Sequence, residues 1–176
     1  MTDSGGGSKA SVQAREVQLR PITATDESFL LSLFAELRRP ALSVTGWTAA
    51  EQDAFLASQF ALQSKAYTLG FPAGEFHLVT WQGRPIGRLY FARLEDEIRV
   101  VDLALIAPFR GQGIGTHLLQ TILARADMAG LKVRFHVEIR NPARRLYERL
   151  GFRLVLEHGP YLLMERPVQT QLNEIQ

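Results

Sequence analysis

The strongest constraint on the fold of this chain is a run of alternating glycines that leads directly into a helical pattern, in the stretch APFRGQGIGTHLLQTILARA at 107–126. Gly111, Gly113 and Gly115 stand at every second position behind Arg110. Such glycines permit backbone conformations in which several N–H groups converge on one point. The first turn of a helix also leaves its N–H groups unpaired, with a partial positive charge at that end. The pattern therefore predicts an anion site, and phosphate is its natural ligand.

Two other kinds of glycine loop do not fit the spacing. A nucleotide-hydrolase loop needs a lysine and then a serine or threonine after its last glycine, whereas Thr116 follows Gly115 directly. A dinucleotide fingerprint needs G-x-G-x-x-G and an acidic residue about 20 positions later, whereas Phe135 stands there. A tight strand-to-helix turn without any ligand is the structural alternative.

Hydrophobic periodicity predicts an α/β (α+β) fold with the element order β-α-α-β-β-β-α-β-α-β-β. Pro21 indicates that the first strand is short or at an edge. Helices are expected to begin at Thr25 or Asp26, at Thr48, at the glycine run and at Asn141, where Pro142 takes the first helical position. Predicted strands are VQLRPI (17–22), EFHLVTW (75–81), IGRLYFARL (86–94), IRVVDLALI (98–106), LKVRFHVEI (131–139), FRLVLEH (152–158) and YLLMER (161–166).

Two side-chain patterns add detail to the later elements. One stripe of the helix behind the glycine run is predicted to be buried, and Gly130 is predicted to end that helix. The alternation in 131–139 assigns Val133, Phe135, Val137 and Ile139 to one face of a strand and Arg134, His136 and Glu138 to the other.

The composition limits the organisation and the function class. The 176 residues predict one domain at 17–167, between a flexible N-terminal tail at 1–16 and a C-terminal tail at 168–176. The net charge of +2 is too small to indicate nucleic-acid binding, and no apolar run has the length of a membrane span. We therefore expect a cytoplasmic protein. The chain has no cysteine, which excludes disulfides, thiolate metal sites and a cysteine nucleophile.

Two motifs resemble those of one family. The stretch LALIAPFRGQGIGTHLL resembles the acyl-CoA-binding motif of the GNAT superfamily of N-acetyltransferases, Arg/Gln-x-x-Gly-x-Gly/Ala, matched by Arg110, Gly113 and Gly115. The stretch NPARRLYERLGF resembles the second GNAT motif, which ends Leu-Tyr-x-x-x-Gly-Phe. This resemblance extends over residues 17–167 and implies a GNAT-like fold, a mixed central sheet of about seven strands with about four helices and splayed fourth and fifth strands.

The resemblance also implies acetyl-CoA as a co-substrate and no metal. Many members carry asparagine where this chain has Arg140, and Asn141 lies one place later. The residues expected to bind the coenzyme are the main chain of Leu105, Ile106 and Ala107; the loop residues Arg110, Gly111, Gln112, Gly113, Ile114, Gly115 and Thr116; and Asn141, Arg144 and Arg145. Arg110 has two possible roles, a bidentate phosphate contact or an anchor for the loop.

Acetyl transfer from a thioester to an amine requires two proton transfers. A lysine-like amine must lose a proton, which costs about 4.6 kcal/mol at pH 7, and the departing thiolate benefits from a proton donor. Tyr147 is the candidate acid, because tyrosine stays protonated at neutral pH and Tyr147 lies at the border of the buried stripe of its helix. The alternative is a tyrosine that only packs.

The sequence does not identify which residue acts as the general base. Asp102 lies within the apolar run VVDLALI, and His136 and Glu138 share one face of the next strand. His136 has the unperturbed pKa best suited to the task. For each of the three, the alternative is a structural hydrogen bond, and a water molecule or an amine of low pKa could also serve.

These observations predict an acetyl-CoA-dependent N-acetyltransferase in which the amine attacks directly in a ternary complex, since no cysteine could carry the acetyl group. The acceptor is expected to be a small-molecule or peptide amine. Alternatives are a different acyl group or acceptor on the same fold, or a catalytically idle GNAT-like module that senses acyl-CoA or binds another protein. The oligomeric state is left undecided by the sequence, and a homodimer is one alternative because many relatives with this resemblance pair as dimers.

Overall fold

A computed structural model of the chain describes residues 16–141 and 143–169. Nearly all of the predicted N-terminal tail (1–16), most of the predicted C-terminal tail (168–176) and the predicted first helical position, Pro142, lie outside the described residues. None of the helices within the described residues is long and apolar enough to span a membrane.

The described residues form the predicted order of elements, with short 3-10 turns in addition. The strands are β1 (Val17–Pro21), β2 (Gly74–Trp81), β3 (Arg84–Arg93), β4 (Glu97–Leu105), β5 (Lys132–Glu138), β6 (Arg153–His158) and β7 (Tyr161–Arg166). The α-helices are α1 (Glu27–Arg38), α2 (Ala49–Gly70), α3 (Ile114–Ala129) and α4 (Arg144–Arg149).

The strands form one mixed seven-stranded sheet in the order β1-β2-β3-β4-β5-β7-β6. β1 is antiparallel to β2 and stands at an edge, as Pro21 predicts. β4 and β5 are parallel, and their pairing runs only from Glu97 opposite Lys132 to Arg99 opposite Arg134. β7 pairs antiparallel with β5 on one side and with β6 on the other. The predicted fold is confirmed.

The described residues divide into two compact units. The first contains the residues up to Tyr90 together with Asp102–Gly115, and the second contains Phe91–Val101 together with the residues from Thr116 onward. In the first unit α1 and α2 pack through a hydrophobic cluster, where the rings of Phe34 and Phe60 lie 5.8 Å apart. The buried members of this cluster are Leu30, Phe34, Leu56, Phe60 and Leu78.

The two helix starts in the first unit differ in their caps. Thr48 caps α2 as predicted, in a reciprocal pair with Glu51. The predicted side-chain cap of α1 is wrong. Asp26 stands at the N-cap position without a capping bond, because its carboxylate accepts hydrogen bonds from Arg20 at 2.6 and 2.8 Å and from the Thr23 N–H at 2.8 Å.

Glycine permits a tight turn and one close approach of two strands in the first unit. The predicted tight turn between β2 and β3 contains Gln82 and Gly83, both with left-handed φ values of 49° and 74°. Such a two-residue turn matches the twist of the strands that it joins. On β3, a Cβ atom at Gly87 would lie 2.3 Å from the carbonyl oxygen of Ala104 on β4. Only glycine lets these strands meet there.

The stripe predicted on α3 is buried, and the helix ends as predicted at Gly130, with φ 64°. The next N–H group, from Leu131, donates to the Ala126 carbonyl at 2.9 Å and completes the C-cap. The buried stripe consists of Ile114, Leu118, Ile122 and Ala126.

Two predictions for the second unit need correction. Ile139 is not buried with Val133, Phe135 and Val137; it is 46% exposed, because β5 ends at Glu138 and the Ile139 N–H turns away to the Pro160 carbonyl. The last helix begins only at Arg144.

Asn141 precedes that helix rather than capping it. Its Oδ1 accepts a hydrogen bond from the Ala143 N–H at 2.8 Å and so closes the turn before α4. β6 ends the sheet in this unit: all six of its residues are exposed, and its register is irregular at Val155.

Candidate functional site

The glycine loop follows β4 in the first unit, through a 3-10 turn at Ala107–Phe109. Gly111 and Gly113 have φ values of 71° and 79°, a left-handed conformation that favours glycine. Gly115 differs, because it lies within α3 without a positive φ, and a Cβ atom there would meet nothing within 4 Å. Neither its conformation nor its packing explains this glycine, whereas a ligand that approaches the helix start closely would.

The amide groups of the loop are available to such a ligand. Among the described residues, no hydrogen-bond acceptor is found for the N–H groups of Gly111, Gln112 and Gly113. The first turn of α3 adds N–H groups that have no intrahelical partner, at the positive end of the helix. The Gln112 side-chain amide donates to the Pro108 carbonyl and braces the loop from within. This arrangement fits a phosphate group.

Arg110 anchors the loop, which is the second of its two predicted roles. Its Nε donates to the Leu105 carbonyl at 2.7 Å, and its guanidinium forms an ion pair with Glu36 of α1. Glu36 also accepts a hydrogen bond from the Ala107 N–H at 2.9 Å. Sequence reasoning missed Glu36, because one acidic residue on a helix resembles any solvated residue.

The main chain before the loop is already hydrogen-bonded in part. The Ile106 N–H donates to the Ile86 carbonyl at 2.9 Å, and the Ala107 N–H is held by Glu36. The Leu105 carbonyl accepts from Arg110 and keeps a second lone pair. The N–H groups of Ile106 and Ala107 are therefore already in use, whereas the Leu105 carbonyl oxygen can accept a further hydrogen bond.

Asp102 lies in a polar cluster of the first unit. Its Oδ2 accepts hydrogen bonds from the Arg88 guanidinium at 2.6 Å and from the Tyr67 hydroxyl at 3.1 Å. Arg88 also donates to Gln63 at 3.1 Å. Burial first, and then the charge of Asp102, raise the pKa of Tyr67, so its hydroxyl keeps the proton that it donates. Asp102 Oδ2 thus makes structural hydrogen bonds, the predicted alternative to a role as general base.

Tyr147 lies half-buried on α4 in the second unit. Its ring packs edge-on against Phe135 at 4.7 Å and lies 6.5 Å from Phe152. Burial raises the pKa of Tyr147, which keeps the phenol protonated. Within the part of the chain that the structure describes, no residue hydrogen-bonds its hydroxyl, so the proton is free to be donated.

His136 and Glu138 share one face of β5 in the second unit, as predicted, and both are exposed. In the pairing with β7, His136 stands opposite Leu163 and Glu138 opposite Tyr161. Desolvation first, and then the charge of Arg99, lower the pKa of His136. Its imidazole is therefore neutral at pH 7, the form in which it can accept a proton.

The other predicted residues of the second unit lie at the starts of α3 and α4. Thr116 is in the first turn of α3. Arg144 forms an i,i+4 ion pair with Glu148 at 3.1 Å, whereas Arg145 is exposed. Asp102 and residues 105–115 thus belong to the first unit, whereas the second unit contains Thr116, His136, Glu138, Asn141, Arg144, Arg145 and Tyr147.

The chain is similar in sequence to one family. Residues 33–152 match the model of the acetyltransferase (GNAT) family. No curated protein matches the sequence at a significant level.

Solved structures share the fold at low sequence identity. One is the PaiA N-acetyltransferase from Thermoplasma acidophilum in complex with coenzyme A, with a TM-score of 0.65, 14% identity, and coverage of 86% of this chain and 98% of that one. A GNAT family acetyltransferase from Elizabethkingia anophelis with acetyl-CoA bound has a TM-score of 0.54 and 18% identity, over 87% and 99% of the two chains. The ribosomal-protein-S18-alanine N-acetyltransferase from Escherichia coli has a TM-score of 0.56 and 17% identity, over 91% and 99%.

Proposed function

The chain belongs to the acetyltransferase (GNAT) family, and on that premise we propose that it transfers an acetyl group from acetyl-CoA to an amine acceptor. The glycine loop carries this proposal. Its left-handed glycines, its N–H groups without acceptors and the side-chain-free position at Gly115 suit a diphosphate at the start of α3. Two of the solved structures of the same fold contain coenzyme A or acetyl-CoA.

Each part of the loop has its own role in this proposal. The N–H groups of residues 111–116 bind the diphosphate, and the contacts of Arg110 with Leu105 and Glu36 keep the loop in shape. The Leu105, Ile106 and Ala107 main chain holds the pantetheine arm. Asn141, Arg144 and Arg145 are the further residues that we propose as coenzyme contacts. When bound, acetyl-CoA supplies a thioester carbonyl and a thiolate leaving group.

Tyr147 acts as the general acid. The acceptor nitrogen forms a bond to the acetyl carbon while the bond from that carbon to sulfur breaks, and Tyr147 gives its phenolic proton to the sulfur. Burial raises the pKa of Tyr147, which favours the protonated phenol that this step needs. Its unpartnered hydroxyl can donate without first breaking a bond within the described chain.

The acceptor amine must lose a proton before or during its attack. His136 suits this step best among the three predicted bases, because its lowered pKa keeps the imidazole neutral at pH 7. Asp102 is less suited, since Oδ2 already accepts two hydrogen bonds. The chain has no cysteine to carry an acetyl group, which favours direct attack in a ternary complex.

Release of the coenzyme A thiol tests the proposal. A thiol reagent reads this release without background, because the protein itself has no cysteine. We expect tight binding of coenzyme A in calorimetry and thiol release from acetyl-CoA that depends on an added amine. Tight binding without turnover across a broad amine panel would favour the acyl-CoA-binding module instead. Absence of coenzyme A binding would exclude both.

A further inference from the structure

The polar cluster around Asp102 leaves one carboxylate oxygen unused. Both hydrogen bonds of Asp102, from Arg88 and from Tyr67, go to Oδ2, and no described residue bonds to Oδ1. The Asp102 side chain is 17% exposed, whereas that of Arg88 is only 3% exposed. Oδ1 is therefore the atom of this cluster that a ligand can reach.

Arg88 holds the Asp102 carboxylate in place through its hydrogen bond to Oδ2. Its guanidinium is held by Asp102 and Gln63 and lies 5.4 Å from the centre of the Tyr90 ring. Its Nε is buried and has no hydrogen-bond partner among the described residues. A buried donor without a partner costs about 1–3 kcal/mol, so the contacts with Asp102 and Gln63 are what hold this guanidinium in place.

The accessible side of the cluster offers acceptor oxygens and the ring of Tyr67. Tyr67 donates its only hydroxyl proton to Asp102 Oδ2, so its oxygen keeps its lone pairs for a further hydrogen bond. The rings of Tyr67 and Tyr90 lie 6.1 Å apart in an edge-on arrangement. Two acceptor oxygens and the half-buried Tyr67 ring suit an ammonium group, which would share the Asp102 carboxylate with Arg88. Arg38, whose charge also acts on Tyr67, is exposed, so water screens its repulsion.

We propose that Asp102 Oδ1 and the Tyr67 hydroxyl bind an ammonium group of the acceptor. This inference rests on the proposed acetyltransferase function. Asp102 precedes Leu105 by three residues on β4, about 10 Å along the strand, so the ammonium site lies close to the main chain assigned to the pantetheine arm.

The ammonium group held by Asp102 is not the nitrogen that reacts. An ion pair with a carboxylate favours the charged form of an amine, and a protonated nitrogen has no lone pair for attack. The acceptor therefore carries a second amine, which loses its proton, forms the new bond to the acetyl carbon and becomes an amide. The acceptor is therefore a compound with at least two amino groups, of which the aliphatic diamines are the simplest.

A matched pair of amines tests this substrate class on the wild-type protein. The diamine 1,4-diaminobutane and the monoamine 1-aminopentane have the same number of non-hydrogen atoms and differ only in the second ammonium group. We expect kcat/KM to be about 10- to 100-fold higher for the diamine, the range expected for a charged hydrogen bond. Equal kcat/KM values for the two amines would overturn the inference.

Two variants trace the preference to the cluster. Asp102→Asn is expected to bring the ratio of the two kcat/KM values close to one, and Tyr67→Phe to lower it about 3- to 10-fold. Asp53→Asn is the matched control, because Asp53 is an exposed carboxylate paired with Arg39. A diamine preference that persists in Asp102→Asn would contradict the assignment. If that variant does not fold, the wild-type ratio and Tyr67→Phe decide the question.

Calorimetry separates this inference from the proposed function. If no amine is acetylated, titration with coenzyme A tests the acetyltransferase proposal alone. Titration of 1,4-diaminobutane and 1-aminopentane into the protein saturated with coenzyme A then tests the ammonium site without turnover. Equal affinities would overturn the ammonium site, whereas tighter binding of the diamine would support it.

Discussion

Glu36 and Arg110 are 74 residues apart in sequence and form an ion pair that joins α1 to the glycine loop. The same Glu36 oxygen accepts the Ala107 N–H, so one side chain holds both the turn before the loop and the arginine at its start. Glu36→Ala should therefore loosen the loop and weaken coenzyme A binding about 5- to 20-fold, measured by calorimetry. Glu27→Ala, at the start of the same helix, is the control and should bind normally. Wild-type affinity in Glu36→Ala would show that the loop keeps its shape alone.

Gly115→Ala should separate stability from ligand binding. Alanine is favoured over glycine within a helix by about 0.5–1 kcal/mol, and its Cβ would meet no other atom of the chain at this position. The free energy of unfolding should stay the same or rise, whereas affinity for coenzyme A should fall about 10-fold, because the methyl group occupies space next to the phosphates.

The matched control for this variant is Gly70→Ala, which also faces open space within a helix. It should leave coenzyme A affinity at the wild-type value. Unchanged affinity in both variants would argue that no ligand comes close to Gly115.

Tyr147→Phe should lower kcat about 100- to 1000-fold while the KM for acetyl-CoA changes less than about threefold. The ring contacts with Phe135 and Phe152 survive this substitution, so only the proton donor is lost. Steady-state kinetics of thiol release measure both constants. Tyr161→Phe, at an exposed tyrosine, controls for the loss of a hydroxyl. A wild-type kcat in Tyr147→Phe would leave Tyr147 as a packing residue.

Asp26 should make stability depend on pH. Hydrogen bonds from Arg20 first, and then from the Thr23 N–H, hold the pKa of Asp26 well below its ordinary value. A depressed carboxyl pKa stabilises the fold above the unfolded-state value near pH 4, and this contribution is lost as pH falls below it. Asp26→Asn should therefore lower the free energy of unfolding by about 1–3 kcal/mol at pH 7.

Urea titrations at several pH values measure this difference, which should shrink steadily below about pH 4. The exposed Asp53→Asn should show no comparable change at either end of the range. A difference between wild type and Asp26→Asn that is constant from pH 7 to pH 2 would mean that the Asp26 charge contributes nothing to folding.

Local signals explain why the order of elements could be predicted. Alternating side chains, the Thr48 cap and the C-terminal Gly130 each act within a few residues of chain, and the structure confirms them. Ile139 was predicted on the buried face because the alternation of β5 continues through it, but β5 ends one residue earlier. Periodicity specifies a face and does not specify where a strand stops.

The contacts that shape the candidate site join distant parts of the chain, so no local sequence pattern predicts them. Glu36 resembles any solvated helix residue until the fold brings it to Arg110. In the sequence Arg88 is one polar residue within an apolar strand, and only the structure shows that it is buried against Asp102. The glycine loop could be predicted because its chemistry is contained in consecutive residues. The roles of Tyr147, His136 and the coenzyme contacts stay predictions until the variants are measured.

β6 has a consequence for how copies of this protein behave in solution. An edge strand with three successive exposed apolar residues, Leu154, Val155 and Leu156, is a template for β-sheet aggregation. The irregular register at Val155 interrupts the flat row of backbone groups that a foreign strand would need. Charged Arg153 and Glu157 flank the apolar segment and disfavour its stacking with neutral strands. The irregularity at Val155 thus opposes strand-to-strand association at the β6 edge, where three exposed apolar residues follow one another.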